Sequence, residues 1–150
     1  MHFPFCSTKC PYCDFYSIAR AGHVKMEEGR FCANVIREAE ARLAGGELSR
    51  GAFERFDTIY IGGGTPSSLA PATVASLIEE LSAAVRVDGG AEVTIEVNPD
   101  DVDPAKARGW KEAGVDRVSL GAQSFDDRAL GILGRRHDAA GSLGAFETLR

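Results

Sequence analysis

Apolar residues recur along this chain in two rhythms, one of three to four residues and one of two. Phe31, Val35, Ala39 and Leu43 stand four apart and predict one face of an amphipathic helix, ended by Gly45 and Gly46. "TIYIGG", residues 58–63, predicts a β-branched strand running into glycines. Pro71 opens a second helix whose apolar face is Val74, Leu77, Ile78, Leu81 and Val85. Asp88-Gly89-Gly90 reads as a turn, and "EVTIEVN", residues 92–98, as a second strand. Asp103 and Pro104 cap and start another helix, which Gly114 closes. "RVSLGAQ", residues 117–123, is the third strand, and residues 142–150 begin a further helix.

Strands alternating with helices predict an α/β fold with a parallel sheet. The strand alternation adds a second point. Ile59, Ile61, Val93, Ile95, Val97, Val118 and Leu120 would face the helices. Tyr60, Gly62, Thr94, Glu96, Asn98, Ser119, Gly121 and Gln123 would face the other way. Parallel strands buried on both faces read as nearly continuous apolar runs. Here one face is polar or small, which suits strands lining a cavity, as in a partial, open (β/α) barrel. About four βα units fit in the chain, too few for an eight-stranded barrel. Cys6 stands where a first strand should finish, with five residues before it. Residues 1–150 are therefore expected to be part of a longer protein.

The 150 residues are 44% apolar and carry a net charge of −5, with acids and bases interspersed. That allows one cored domain and offers no basic stripe for nucleic acid. No apolar run approaches the roughly 18 residues of a membrane span. No signal-peptide pattern is present, so a soluble cytoplasmic protein is the expectation. In that compartment clustered cysteines mean metal or redox chemistry rather than disulfides.

The cluster is "FCSTKCPYCDF", with Cys6, Cys10 and Cys13 in eight positions. Three thiolates that leave a fourth position open suit a four-iron four-sulfur cluster with one uncapped iron, since a four-cysteine cluster is closed to substrate. Pro11 would stiffen the loop, and Tyr12 and Phe15 would shield it from water. A zinc ion on Cys6, Cys10, Cys13 and His2 is the alternative, although no second ligand pair follows. Cys32 falls among apolar helix residues and reads as a buried, inert thiol.

Other polar residues gather at predicted strand ends. "IGGGTP" lacks the Lys-Ser/Thr of a phosphate loop and the spacing of a dinucleotide fingerprint. Three glycines at a strand end are either a plain turn or a close approach of a ligand to the backbone. Glu96 on a cavity face needs a partner, either a bound ammonium or ribose, or a basic side chain. Gln123 can both donate and accept, which suits a ribose or adenine edge or a structural amide. An arginine of "LGRRH" could pair bidentately with a carboxylate. Arg136 reads as a surface residue, His2 and His137 as structural, and His23 carries no signal.

C-x3-C-x2-C with an aromatic residue before the third cysteine resembles the radical S-adenosylmethionine superfamily. The resemblance implies a [4Fe–4S] cluster on Cys6, Cys10 and Cys13. Its open iron would chelate the amino and carboxylate groups of S-adenosyl-L-methionine, and reduction would release a 5′-deoxyadenosyl radical. It further implies cofactor-binding roles for Tyr12, Gly63, Gly64, Thr65, Glu96, Gln123 and Arg135. The glycine segment would meet the amino group and Arg135 the carboxylate. Residues 1–150 would be the N-terminal part of the core domain, with a C-terminal domain outside the chain.

"HFPFCSTKCPYCDF", "IYIGGGTPSSL", "IEVNPDD" and "RVSLGAQSFDDRALGILGRRH" are similar to the oxygen-independent coproporphyrinogen III oxidase group, and more narrowly to its haem-chaperone-like HemW branch. The oxidases carry a further cysteine two residues after the third; here that residue is Phe15. The expected partners are haem or a porphyrinogen, a haem-acceptor protein and an electron donor. The expected function is haem transfer, with porphyrinogen oxidative decarboxylation and a zinc-stabilised interaction module as alternatives.

Overall fold

The computed structural model describes residues 1–19, 28–46 and 55–150; His23 lies outside them. Strand β1 (His2–Phe3) opens the chain, followed by β2 (Phe5–Cys6) and β3 (Ile18–Ala19). Helix α1 (Glu28–Ala44) precedes β4 (Phe56–Gly63), α2 (Pro71–Ala84), β5 (Val87–Val97) and α3 (Pro104–Glu112). Then come β6 (Arg117–Leu120), α4 (Asp127–Ile132) and α5 (Ala139–Leu149). The main sheet has the order β1-β4-β5-β6 and every pair in it is parallel. β2 and β3 form a separate parallel pair.

The expected alternation sets which face is buried. Ile59, Ile61, Val93, Ile95 and Val97 are buried, and Val118 and Leu120 pack half-buried against them. Phe3, Leu69, Val74 and Trp110 complete the core. Phe31 on α1 meets the Phe3 ring edge-on at 5.1 Å. The caps follow the sequence. Asp103 accepts from the N–H groups of Ala105 and Lys106, and Gly114 leaves α3 at φ +90°.

Two expectations are corrected and one element is new. Asp88-Gly89-Gly90 is no turn but lies inside β5. Phe56 pairs with Val87 and Thr58 with Glu92, so β5 carries extra residues there as a bulge, which two glycines make easy. The third strand stops at Leu120, and Gln123 sits beyond it at φ +66°. α4 has no counterpart among the predicted elements, because six residues are too few for an apolar period. Its ends are nevertheless written in Asp126, which caps it, and Gly134.

Candidate functional site

The cysteine loop begins where β2 ends. Cys6 is buried, Cys10 and Cys13 are half-buried, and all three are free thiols. The Cys13 N–H donates to the Cys10 carbonyl at 3.0 Å. Cys10 to Cys13 is thus a β-turn with Pro11 in its second position, where a fixed φ is an advantage. Tyr12 and Phe15 line the adjoining cleft, yet Tyr12 is 44% and Phe15 67% exposed, so they shield it less than expected. Burial pushes the Tyr12 phenol up, against the opposing pull of Arg135.

The glycines are explained by close approach, chiefly of the chain to itself. A Cβ on Gly64 would stand 2.5 Å from the Phe5 carbonyl oxygen and 3.0 Å from the Cys6 sulfur. Gly63 adopts φ +121°, beside His2 and the Phe3 carbonyl. The N–H groups of this segment are engaged internally: Gly63 with Glu96 Oε2 at 2.8 Å, Gly64 with Phe3 O at 2.6 Å, Thr65 with Phe5 O at 2.8 Å. The Thr65 carbonyl is engaged as well, accepting from the Ser68 N–H at 3.0 Å and the Ser68 hydroxyl at 2.7 Å.

Glu96, next to the end of β5, is held by two uncharged donors. Tyr60 donates to Oε1 at 2.7 Å and the Gly63 N–H to Oε2. Tyr60 pairs in register with Thr94, so Glu96 is its diagonal same-face neighbour. The alternation puts Tyr60 on the correct face but does not identify it as Glu96's partner. The Glu96 carboxylate, and burial after it, holds the Tyr60 phenol above its ordinary value.

Arg135 reaches the site from just beyond α4. Its Nη1 lies 3.5 Å from the Cys10 sulfur. Its Nη2 donates to the Asn98 amide oxygen and, at 3.0 Å, to the Gly121 carbonyl. Arg136 pairs at 3.4 Å with Asp100. His137 is buried, with Nε2 3.1 Å from the Ala122 carbonyl. His2 Nε2 lies 2.9 Å from the Tyr16 carbonyl. Among the described residues no three His, Cys, Asp or Glu side chains are grouped as a single metal ion would need. Cys32 is buried on α1, and burial, ahead of Glu80 and Glu28, pushes its thiol up.

One cleft of about 490 Å3 brings many of these residues together, though not Cys32, His2 or His137. Cys6, Cys10, Tyr12, Cys13, Thr65, Glu96, Gln123 and Arg135 line it, together with Asn98 and Ser119. Gly63 and Gly64 are not in its wall. The contributing segments follow β2, β4, β5 and β6, so the cleft lies at the C-terminal edge of a parallel sheet, where ligands of such sheets bind.

The open α/β sheet and the three-cysteine loop define a class, and the chain belongs to it: the profile of the Radical SAM superfamily matches residues 1–150. Among individual relatives, the chain is 34% identical over 142 residues to heme chaperone HemW of Haemophilus influenzae, covering 93% of this chain and 36% of that protein. It is 36% identical over 145 residues to radical S-adenosyl methionine domain-containing protein 1, mitochondrial, of Mus musculus, covering 95% and 30%. The structure of Escherichia coli coproporphyrinogen III oxidase superposes with a TM-score of 0.77 at 22% identity, covering 99% of this chain and 33% of that one, a likeness of fold. The chain spans about a third of the length of these relatives. Among the described residues no helix is long and apolar enough to cross a membrane.

Proposed function

We propose that this chain is the N-terminal part of the core of a HemW-like haem chaperone. The core would hold a [4Fe–4S] cluster on Cys6, Cys10 and Cys13 and bind S-adenosylmethionine, and the whole protein would pass haem to an acceptor protein. The observation that carries the reading is that three free thiols, Glu96, Gln123 and Arg135 line one cleft at a sheet's C-terminal edge.

The donor set fits the cluster. The three sulfurs come from one short loop, Gly64 leaves room beside Cys6, and a guanidinium stands against Cys10. Zinc would want a fourth protein ligand, and His2 is turned to the Tyr16 carbonyl. A cluster bound here would supply one-electron reduction at an iron open to an added ligand. The remaining work falls to the chain. Thr65, which lines the cleft, would stand nearest the ligand's ammonium with Gly63 and Gly64 shaping the backbone behind it, and Glu96 would accept from its ribose hydroxyls. Gln123 meets a ribose or adenine edge, Arg135 draws the carboxylate, and Tyr12 forms the outer wall. Phe15, two residues after Cys13, favours the chaperone over the oxidase.

The test uses the full-length protein, purified without oxygen. About four irons and four sulfides per chain are expected; zinc without sulfide would overturn the reading. Given a reductant, S-adenosylmethionine and coproporphyrinogen, the protein should form no vinyl product catalytically, and it should bind haem saturably. Catalytic vinyl formation would replace the chaperone by the oxidase.

A further inference from the structure

We propose that Arg135 has a second role, in which it donates a charged hydrogen bond to the Cys10 sulfur and so raises the reduction potential of the cluster that this thiolate would hold. The proposal rests on the cluster reading above. Three observations carry it.

The first is the contact itself, Nη1 to Sγ at 3.5 Å, between residues 125 positions apart. The second is that the guanidinium is aimed. Both protons of Nη2 have acceptors, the Asn98 amide oxygen and the Gly121 carbonyl. The group is planar and rigid, so fixing Nη2 fixes Nη1 at the sulfur. Asn98 is itself held, since its N–H donates to the Ser67 hydroxyl at 3.1 Å, and that hydroxyl donates to Asp101 at 2.6 Å.

The third is how Arg135 arrives. α4 ends in a Schellman turn: Gly134 at φ +68° donates to the Gly131 carbonyl, and the Arg135 N–H to the Leu130 carbonyl at 2.9 Å. A Cβ on Gly134 would lie 3.0 Å from Pro11 Cδ, so this turn packs directly on the cysteine turn. Among the described residues no carboxylate pairs with Arg135, whereas Arg136 pairs with Asp100. Its charge is therefore available to the sulfur. Taking up an electron makes a cluster more negative, and a cationic donor on a ligand sulfur favours that form. Asn98 is a positioning residue for this effect.

The measurement is a redox titration of the cluster, followed by electron paramagnetic resonance, in full-length protein without S-adenosylmethionine. Leaving that ligand out separates the sulfur contact from any contact with a carboxylate. Arg135→Gln should make reduction about tenfold less favourable, about 59 mV more negative for a one-electron couple. Asn98→Ala keeps the charge but loses the aim, and about a threefold effect in the same direction is expected. Unchanged potentials in both variants, with the cluster loaded, would overturn the proposal alone. If Arg135→Gln fails to load, Asn98→Ala decides it. Wild-type protein that takes up no sulfide would overturn the cluster reading as well.

Discussion

Ile95 and Glu96 are neighbours on β5, yet they belong to different parts of the molecule. Ile95 is fully buried against the helices, paired in register with Ile61 and Val118. Glu96 lines the cleft, with its oxygens on Tyr60 and Gly63. The pleat separates the packed core from the cleft wall by a single residue. One face is apolar and interchangeable within limits of volume. The other is polar and specifically paired, because a carboxylate there needs its hydrogen-bond donors.

The division can be tested from both sides. The largest effect belongs to the loop at the cleft. Cys10→Ala should lose the cluster almost entirely, while Cys32→Ala, on a buried helix face, should keep it. Equal iron loss in both variants would mean that the ligands are misassigned. Ile95→Ala comes next, with about 3 kcal/mol of unfolding free energy lost, as for other buried aliphatic truncations. The ligand affinity of the fraction that remains folded should be unchanged, as denaturant titration and binding together would show. Glu96→Ala should do the reverse. Iron content should stay near wild type, melting should fall modestly because Tyr60 and the Gly63 N–H lose their acceptor, and S-adenosylmethionine should bind about tenfold more weakly, about 1.4 kcal/mol. Unchanged affinity would return Glu96 to a structural role.

The smallest effect is at Tyr60. Its phenol is held above the ordinary tyrosine value, first by donating to Glu96 and then by burial. The folded state therefore binds the proton more tightly than the unfolded one does. The associated stability is complete below the unfolded value near pH 10 and is lost as pH rises through the folded value. Tyr60→Phe should lower stability slightly at neutral pH, where this contribution is complete, and the two proteins should converge as pH rises through the folded value, which melting curves between about pH 8 and pH 11 would reveal.

Much of this is legible in the sequence, for identifiable reasons. Residues 59–61 and 93–97 alternate strictly, and period two has one physical cause, so the order of the residues alone identifies the buried face. The cysteine spacing is equally direct. The glycines at Asp88-Gly89-Gly90 mislead because a bulge and a turn use the same residues for the same conformational freedom. Alternation carries the third strand on to Gln123, past its true end at Leu120. Gln123 reaches the cleft by a left-handed backbone instead, which alternation cannot foresee. Asn98 is visible as a polar residue, but its hold on Arg135 joins residues 37 apart and depends on where α4 ends. Contacts of that kind are made by the completed fold and leave no local trace.

The span of chain between Cys10 and Arg135 also has a consequence in time. A ribosome adds roughly 5–20 residues per second, so the guanidinium follows the thiols by on the order of ten seconds. During that interval the sulfurs would lack both the guanidinium and the Gly134 turn that pack against their loop in the completed fold. If these thiols hold the proposed cluster, its delivery would belong after synthesis of this segment, once the Gly134 turn has packed on Pro11 and the receptacle is complete.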